Sequence, residues 1–466
     1  MKKELVKRKM AEETLSEQLS QRLATLSIGR IPTEVVGAAK LHILDSIGCL
    51  LAGSRLEPGR LAYNLAVAVS PGNAPSTLFG TKSRASYLDA VQAMATAAHC
   101  GELDDIHAGA ATCIGAMIVP ALLALAEKHG GNGRRFLEAA VAGYETTVRI
   151  GLSIDAPKLF VRGWWPSTVC GAFGVAAAGA KFLNWTAEKN TNALGIASLH
   201  AGGMLTGGQE GATARHLAFG SAARHGMLAL LATEQGFSGP KRALEDSRGF
   251  CLTLCAEPKF ETLQNFAKFH LLDVAFKPYP CARQLHAGVE ALVKLMSQHS
   301  IDTSAIRAID LAVPTQNAGM VDRPATPALR AATLGSGQYV MAVTALRGKI
   351  DLASFEDEYL QSESVRRLME KVTVRASAVL DRHFPKFWPG RVTVTLADGN
   401  EHSGEIVAPK GEVENPMTRS DVEEKFLGLA APVLGEAKAR AVIEEVSLLD
   451  LRESLASLLG ALATAS

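Results

Sequence analysis

The feature that most constrains this chain is a series of apolar segments with helical spacing, which runs from Glu13 to about Cys255. After Pro32, apolar residues recur three or four positions apart as far as Gly53, as they do on one face of an α-helix. The segment Ala172–Ala180 is small and apolar on every side, and such a helix has to be surrounded by other helices. These segments therefore predict a large helical bundle.

The composition excludes several classes of protein. Hydrophobic residues make up 47% of the chain, and 48 Lys and Arg balance 47 Asp and Glu, so the net charge is +1. A disordered chain has the opposite balance of hydrophobicity and charge. A protein that binds nucleic acid normally carries a basic surface, so we expect no nucleic-acid partner.

Membrane and export signals are weak in the sequence. The apolar stretches Cys113–Ala126 and Gly171–Ala180 are shorter than the roughly 18 residues that a membrane span needs. The N-terminus, MKKELVKRKM, is basic without the apolar stretch of a secretory signal. Seven scattered cysteines are typical of reduced core thiols. We therefore expect a cytoplasmic protein with no membrane partner.

The pattern changes after Leu272, where alternating apolar residues predict strands between helices. The predicted strands are Ile306–Pro314, Val372–Ala376, Val392–Leu396 and Glu401–Val407, the last two joined by a turn at residues 397–400. The predicted fold is mainly α, with a large helical domain (residues 1–271, completed by 410–466) and a smaller α+β lid domain (272–409). A cleft between two domains is the usual place for a small-molecule site.

An acidic run just before an apolar helix is the first candidate for catalysis. In ELDDIH, the side chains of Glu102, Asp104, Asp105 and His107 fall within six residues. Such a group can hold a general base or a carboxylic acid that its neighbours keep protonated. The alternative is a set of carboxylates that only stabilise the start of a helix.

Three further segments carry candidate binding groups. Trp165 and Ser167 lie at a predicted helix start, which suits an anion but is also typical of simple capping. Arg215 follows a glycine-rich loop and could grip a carboxylate, unless it is a surface cation. Lys277, between the two predicted domains, and His286 complete the set. No histidine spacing indicates a metal site.

In order and spacing, these segments resemble the MmgE/PrpD family, which includes 2-methylcitrate dehydratase, cis-aconitate decarboxylase and iminodisuccinate epimerase. The resemblance rests on LHILDSIGCLLAG, ELDDIH, GYETTVRIG, GAFGVAAAGAKFLN, GSAARHG, FKPYPCARQLH and GQYVMAVTAL. It implies a helical domain with an α+β lid, a homodimer, and activity on small di- and tricarboxylates without metal or organic cofactor.

The resemblance also assigns residues. Glu102 stands where decarboxylase-like members have Asp, and Arg215 stands where many members have Lys. The residues that match family active-site positions directly are Asp104, Asp105, Lys277 and Tyr339, with Tyr144 and Arg149 matching positions near the epimerase pocket. Two family histidines are absent, because Thr112 and Trp165 occupy their positions. An indole cannot take up a proton at neutral pH.

Three functions agree with this pattern. The first is a cofactor-independent lyase that dehydrates or decarboxylates a small di- or tricarboxylate with a rearranged acid/base set. In it, Lys277 or His107 is the base, and Tyr339 is a proton donor or stabilises an oxyanion. The second is an epimerase that moves a single α-proton and therefore needs fewer groups. The third is a non-catalytic relative that binds a small acid. Trp165, a bulky apolar residue, favours a smaller or less polar acid than methylcitrate.

Overall fold

The computed structural model describes residues 13–206, 210–323, 330–384 and 386–463. The basic segment Met1–Met10 and the two glycines at 207 and 208 of the predicted glycine-rich loop lie outside these ranges.

The N-terminal part of the chain is a bundle of helices joined by short turns. The helices are α1 (Leu15–Ala24), α2 (Thr33–Gly53), α3 (Glu57–Val69), α4 (Tyr87–His99), α5 (Gly115–His129), α6 (Gly133–Ser153), α7 (Ala156–Val161), α8 (Pro166–Phe182), α9 (Ala187–Ser198), α10 (Ala214–Glu234), α11 (Phe250–Leu254) and α12 (Glu261–Gln264). Two short strands, β1 (Ser76–Thr77) and β2 (Arg84–Ala85), pair between α3 and α4.

Local sequence explains where these helices begin. Thr14 and Glu17 form a reciprocal capping box at the start of α1, and the side chain of Asn132 accepts a hydrogen bond from Arg135 N at the start of α6, which satisfies otherwise unpaired backbone donors. Every residue of α8 except Lys181 is buried. The prediction of a central helix that is apolar on all sides is therefore confirmed.

The second unit packs helices on a four-stranded sheet. Its helices are α13 (His286–Gln298), α14 (Thr315–Val321), α15 (Arg330–Thr333), α16 (Gly337–Arg347), α17 (Asp357–Leu360) and α18 (Glu363–Met369). Its strands are β3 (Ile306–Val313), β4 (Val372–Ala376), β5 (Gly390–Leu396) and β6 (Glu401–Ile406), in the order β4-β3-β5-β6. Strand β3 runs parallel to β4 and antiparallel to β5, and β5 and β6 form the predicted hairpin.

Each of these units has a large apolar core of its own. The first contains residues from α1 to α11 and also from the C-terminal helices α19 (Arg419–Leu434), α20 (Glu436–Ser447) and α21 (Ala456–Leu462). The second lies between the sheet and the helices α13 and α16. The predicted fold class, mainly α with a smaller α+β part, is confirmed, whereas the exact boundaries at residues 271 and 410 stay a prediction.

Three predicted helices differ from the observed ones, in each case near glycine or proline. The helix predicted over 190–205 ends at Ser198, before Gly202 and Gly203. The helix predicted over 244–256 is reduced to α11. The segment predicted over 329–346 divides into α15 and α16, because Gly335 interrupts it and the Ser336 side chain caps α16 at Tyr339 N. Residue 329 lies outside the described ranges.

Helix α2 is the one described helix that is long and apolar enough to span a membrane by length and composition. In this structure, 72% of its most apolar 18-residue window is buried inside the protein.

The contact of α2 with α4 predicts that two glycines of α2, Gly53 and Gly37, tolerate replacement by alanine to different degrees. A Cβ at Gly53 would lie 1.8 Å from Ala97 O, whereas a Cβ at Gly37 meets nothing within 4 Å. We expect Gly53→Ala to lower the free energy of unfolding by about 1–3 kcal/mol or more. Gly37→Ala should raise it by up to about 1 kcal/mol, because alanine is the better helix former. Urea denaturation of both variants measures this, and equal stabilities would contradict the close approach.

Candidate active site

A cleft of about 780 Å³, counted out to its open mouth, lies where the two units meet. Apolar walls such as Trp165, Leu205 and Trp388 enclose a strongly polar lining. The polar residues that line it are His99, Glu102, Ser167, Arg215 and Lys277 from the helical unit, and Arg283, Gln284 and Arg323 from the α+β unit. Four of these side chains are cations, and Glu102 is the one carboxylate among the lining residues that the structure describes.

The acidic run forms the loop between α4 and α5. A bridge from Ile106 to Ala275 holds the middle of the loop against the segment before Lys277, and a bridge from His107 to Thr112 closes the loop on itself. Glu102 and Ala111 have φ angles of +52° and +49°, a left-handed conformation that is costly for residues other than glycine. Such strain is concentrated at functional sites, and both residues line the cleft.

Lys277 lies at the base of the cleft and is 1% exposed. Its Nζ is 3.2 Å from Glu102 Oε2, 3.6 Å from Asp104 Oδ1 and 3.8 Å from Cys113 Sγ. Burial alone would lower the pKa of this ammonium, but the Cys113 sulfur and the two carboxylates outweigh it and raise the pKa of Lys277 above its ordinary value. Lys277 is therefore a fixed cation at neutral pH.

The Glu102 carboxylate connects two of the cations. One oxygen pairs with Arg215 and the other with Lys277. Burial would raise its pKa, but Arg215 and Lys277 together hold the pKa of Glu102 well below its usual range. Glu102 is therefore ionised, and it neutralises part of the charge of its own cleft.

His99 and Asp104 form a hydrogen-bonded pair beside Lys277. His99 Nδ1 and Asp104 Oδ2 are 2.8 Å apart, and the His99 ring stacks on Phe219 with 3.9 Å between centroids. A carboxylate at Nδ1 holds the proton on that nitrogen. The other nitrogen, Nε2, has no hydrogen-bond partner and lies 3.8 Å from Glu102 Oε1. This arrangement leaves Nε2 as the atom that can accept or donate a proton.

Part of the wall of the cleft comes from the start of α8. Trp165 precedes the helix, and its backbone N–H donates to Gly203 O at 3.0 Å. The guanidinium of Arg215 lies 5.1 Å from the Trp165 ring centroid, a cation–π distance. Ser167 Oγ accepts a hydrogen bond from Cys113 N at 3.0 Å, which ties α8 to the acidic loop.

Comparison with known proteins identifies the family of this chain. The family models of the MmgE/PrpD N-terminal and C-terminal domains match residues 17–263 and 279–451. This chain belongs to the MmgE/PrpD family. It is 27% identical to the cis-aconitate decarboxylase-like protein oryM of Aspergillus oryzae, over 96% of this chain and 97% of that protein.

Two further relatives of the chain carry the name cis-aconitate decarboxylase. The protein of Aspergillus terreus is 27% identical over 96% of both chains. The human protein is 29% identical over 95% of this chain and 93% of its own length. Membership of the MmgE/PrpD family and these relatives support an enzyme of the lyase class.

Some of the site residues predicted from the sequence line the cleft or contact a residue that does. Glu102, Trp165, Ser167, Arg215 and Lys277 line it, and Asp104 contacts Lys277 from behind. Asp105 lies deeper, where its carboxylate contacts His42 Nδ1 at 2.9 Å and accepts hydrogen bonds from Tyr144 Oη at 2.5 Å and Gly115 N at 2.9 Å. The Tyr144 hydroxyl is thereby directed to Asp105.

The remaining predicted residues have other contacts and are not among those that line the cleft. Arg149 pairs with Glu145 at 2.9 Å and donates to backbone carbonyls of residues 262–268. His286 Nε2 lies 3.2 Å from Cys281 O. Tyr339 is in the second core, with its hydroxyl donating to Ser354 O at 2.7 Å.

His107 is also not among the residues that line the cleft. Its Nδ1 accepts a hydrogen bond from Ala110 N at 2.9 Å. Burial lowers the pKa of His107 to about 4, although Asp273 opposes this. The ring is therefore neutral at pH 7, and it has no contact with the cleft through which it could act as the base.

Sequence reasoning missed four groups of this site, which are His99, Arg283, Gln284 and Arg323. His99 ends α4 just before the acidic run, and Arg283 and Gln284 lie within FKPYPCARQLH, the segment that also supplies Lys277. The signal for Arg283 was its place six residues after Lys277, at the crossing between the two units. Its Nη2 pairs with Glu412, while its buried Nη1 has no hydrogen-bond partner.

Within the part of the chain that the structure describes, two groups of side chains have the spacing of metal ligands. His99, Asp104 and Cys113 form one, and His107, His270 and Asp273 form the other. In the first group, the Lys277 ammonium lies 3.6 Å from Asp104 and 3.8 Å from Cys113, so a cation of the chain already occupies this position. In the second group, the acceptor role of His107 Nδ1 leaves the proton on Nε2, which disfavours metal binding there.

Proposed function

We propose that this chain is a lyase that removes CO₂ from a small di- or tricarboxylate without a bound cofactor. The observation that carries the proposal is the buried Lys277 ammonium at the base of a cleft lined by three further cations, Arg215, Arg283 and Arg323. Cations in a desolvated site hold carboxylates and stabilise the negative charge that develops during bond cleavage. The names of the MmgE/PrpD relatives support decarboxylation over dehydration.

The proposed step needs a cation and a proton donor. Cleavage of a C–C bond next to a carboxylate releases CO₂ and leaves an electron pair on carbon, which then takes a proton. The arginines hold the carboxylates that remain, and the Lys277 ammonium lies where it can neutralise the developing charge. Its raised pKa keeps the ammonium charged, which favours the role of electrostatic stabiliser over the role of base.

We further propose that His99 performs the proton transfer. It lines the cleft, Asp104 fixes its Nδ1 proton, and Nε2 has no partner. We expect His99→Gln to lower kcat by about 10²- to 10⁴-fold, as loss of a general acid or base does. The loss should be much larger than for His107→Gln. Steady-state kinetics of the two variants decide between the histidines, and a larger loss for His107→Gln would contradict the proposal.

Trp165 defines the size and polarity of the substrate in this proposal. Its indole is 6% exposed and forms an apolar wall beneath Arg215. A polar group that faces this wall would lose hydrogen bonds to water without replacement. The proposed substrate is therefore smaller or less polar than methylcitrate, and turnover of methylcitrate as fast as of any smaller acid would contradict this.

One experiment tests the proposed reaction against its alternative. The protein is incubated in D₂O with a panel of di- and tricarboxylates, and substrate, product and CO₂ are followed by NMR. Decarboxylation gives CO₂ and a product that carries one deuterium. Exchange of an α-proton with no new product would instead favour an epimerase, which needs only one working acid/base group. No change with any acid would contradict catalysis of this type.

A further inference from the structure

We propose that Glu102 occupies one of the carboxylate positions of the cleft, so that the substrate is a dicarboxylate. This inference rests on the proposed function and deepens it. It states that one residue of the chain, Glu102, limits the number of carboxylates that the substrate carries.

The contacts of Glu102 are those expected of a bound carboxylate. Its two oxygens engage two different cations, Arg215 on one side and Lys277 at 3.2 Å on the other. The side chain lines the cleft, and the residue is only 8% exposed. A charge-assisted contact of this kind at both oxygens is how proteins hold carboxylate ligands.

The backbone directs Glu102 into this position. Its φ of +52° belongs to the left-handed region, which glycine adopts freely and glutamate does not. A strained conformation persists only where the surroundings hold it, and here the two ion pairs hold the side chain between Arg215 and Lys277. The position is thus filled by the chain before any substrate arrives.

The α+β unit contributes a donor for the substrate. Arg283 is 3% exposed and lines the cleft, and its Nη1 has no hydrogen-bond partner. An unpaired buried donor is costly, so a carboxylate at this point would satisfy it. Gln284 also lines the cleft and adds a further polar contact for that carboxylate.

The charges that meet in the cleft favour a dianion over a trianion. Three carboxylates of the chain, Glu102, Asp104 and Glu412, already contact the lining cations Arg215, Lys277 and Arg283. With Arg323, the lining has four cations. A bound dianion brings the carboxylates to five and a trianion brings them to six. In a desolvated site each uncompensated charge is expensive, so the trianion is the poorer ligand.

Binding of two unreactive acids tests this without any need for turnover. Glutarate serves as the dianion and tricarballylate as the trianion, and titration calorimetry at pH 7.5 measures both dissociation constants. We expect wild type to bind glutarate at least tenfold more tightly than tricarballylate. Glu102→Gly, which suits the left-handed backbone and vacates the position, should shift the ratio at least tenfold toward tricarballylate. Glu102→Gln, which removes only the charge, should shift it in the same direction.

Glu145→Gln is the matched control, because Glu145 is a buried carboxylate paired with an arginine away from the cleft. It should keep the wild-type ratio, and thermal unfolding of each variant confirms that it is folded. Equal affinities of wild type for the two acids, or an unchanged ratio in folded Glu102→Gly, overturn the inference and leave the proposed lyase intact. Binding of neither acid by wild type overturns both. The expected ratios without turnover of any acid overturn the lyase alone.

Discussion

Replacing Lys277 by alanine is expected to lower kcat by about 10²- to 10⁴-fold, which corresponds to about 3–5 kcal/mol of barrier. The reason is geometric: Lys277 Nζ is the cation at the base of the cleft and lies between Glu102, Asp104 and Cys113. Without it, the charge that develops on the substrate meets the carboxylates of Glu102 and Asp104 with no ammonium between them. Release of CO₂ under substrate saturation measures the loss.

Small amines provide a readout that a merely structural lysine would not give. Methylamine or ethylamine should enter the space left in Lys277→Ala and restore part of the activity, whereas bulkier amines should not. Lys294→Ala is the control, because this lysine is half-exposed and pairs with Glu290 on the surface of α13. It should keep kcat within about twofold. A Lys277→Ala variant with more than a tenth of wild-type kcat would exclude the proposed role.

The second large effect is expected at a buried ion pair behind the site. Lys425 of α19 pairs with Asp45 of α2 at 2.5 Å and donates to Leu103 O at 2.7 Å, and the two side chains are 9% and 0% exposed. We expect Lys425→Met to lower the free energy of unfolding by about 3–5 kcal/mol at pH 7, because it leaves the Asp45 charge buried without a partner. Denaturant titration of the variant measures this value.

The pH dependence of this loss has a defined sign. Burial already raises the pKa of Asp45, and Lys425 opposes that rise, so the substitution raises the folded-state pKa further above the unfolded one. A folded state that binds more protons gains stability as the pH falls. The cost of Lys425→Met should therefore be largest at pH 7 and shrink as the pH falls through the folded-state pKa of Asp45.

Two further variants separate the buried charge from other effects. Adding Asp45→Asn to Lys425→Met should recover much of the stability, because no unpaired charge remains. Arg440→Ala removes an exposed pair with Glu436 and should change stability by less than about 0.5 kcal/mol. If Lys425→Met costs no more than Arg440→Ala, the buried pair has no structural role.

Lys425 also connects the C-terminal helices to catalysis. Its bond to Leu103 O holds the residue next to Glu102, and α19 packs against α2 as part of the first core. The acidic loop is therefore positioned by a helix more than 300 residues away in sequence. Lys425→Met should consequently raise KM as well as lower stability.

Sequence reasoning predicted those parts of the structure that depend on local pattern. Periodicity located α8 as a fully buried helix, and alternation located β3, β4 and the β5–β6 hairpin, because these signals repeat within a single element. Where glycine interrupted a pattern, as at Gly335 between α15 and α16, the predicted boundaries were wrong. Local propensity is a weak guide where tertiary contacts fix the chain.

The site was predictable only in part. Lys277, Arg215 and Glu102 were identified because each lies in a distinctive segment, and they meet in the cleft. Tyr339 and Arg149 were equally distinctive in sequence, yet their polar groups are used by Ser354 O and Glu145. His99 lies outside the distinctive segments, and Arg283 lies within the segment of Lys277 without a signal of its own. Their unpartnered nitrogens in a buried cleft make them candidates.

The sequence by itself determined the fold class, the helical core and the family, because hydrophobic period and motif order are properties of the chain. The tertiary structure decided which charged groups face one another. Interactions between charges depend on separations of a few ångströms and on burial, and these arise between residues as distant in sequence as Glu102, Arg215 and Lys277. The sequence predicted a general base in the acidic run. In the structure, the residue of this run that lines the cleft, Glu102, is instead a carboxylate bound between two cations.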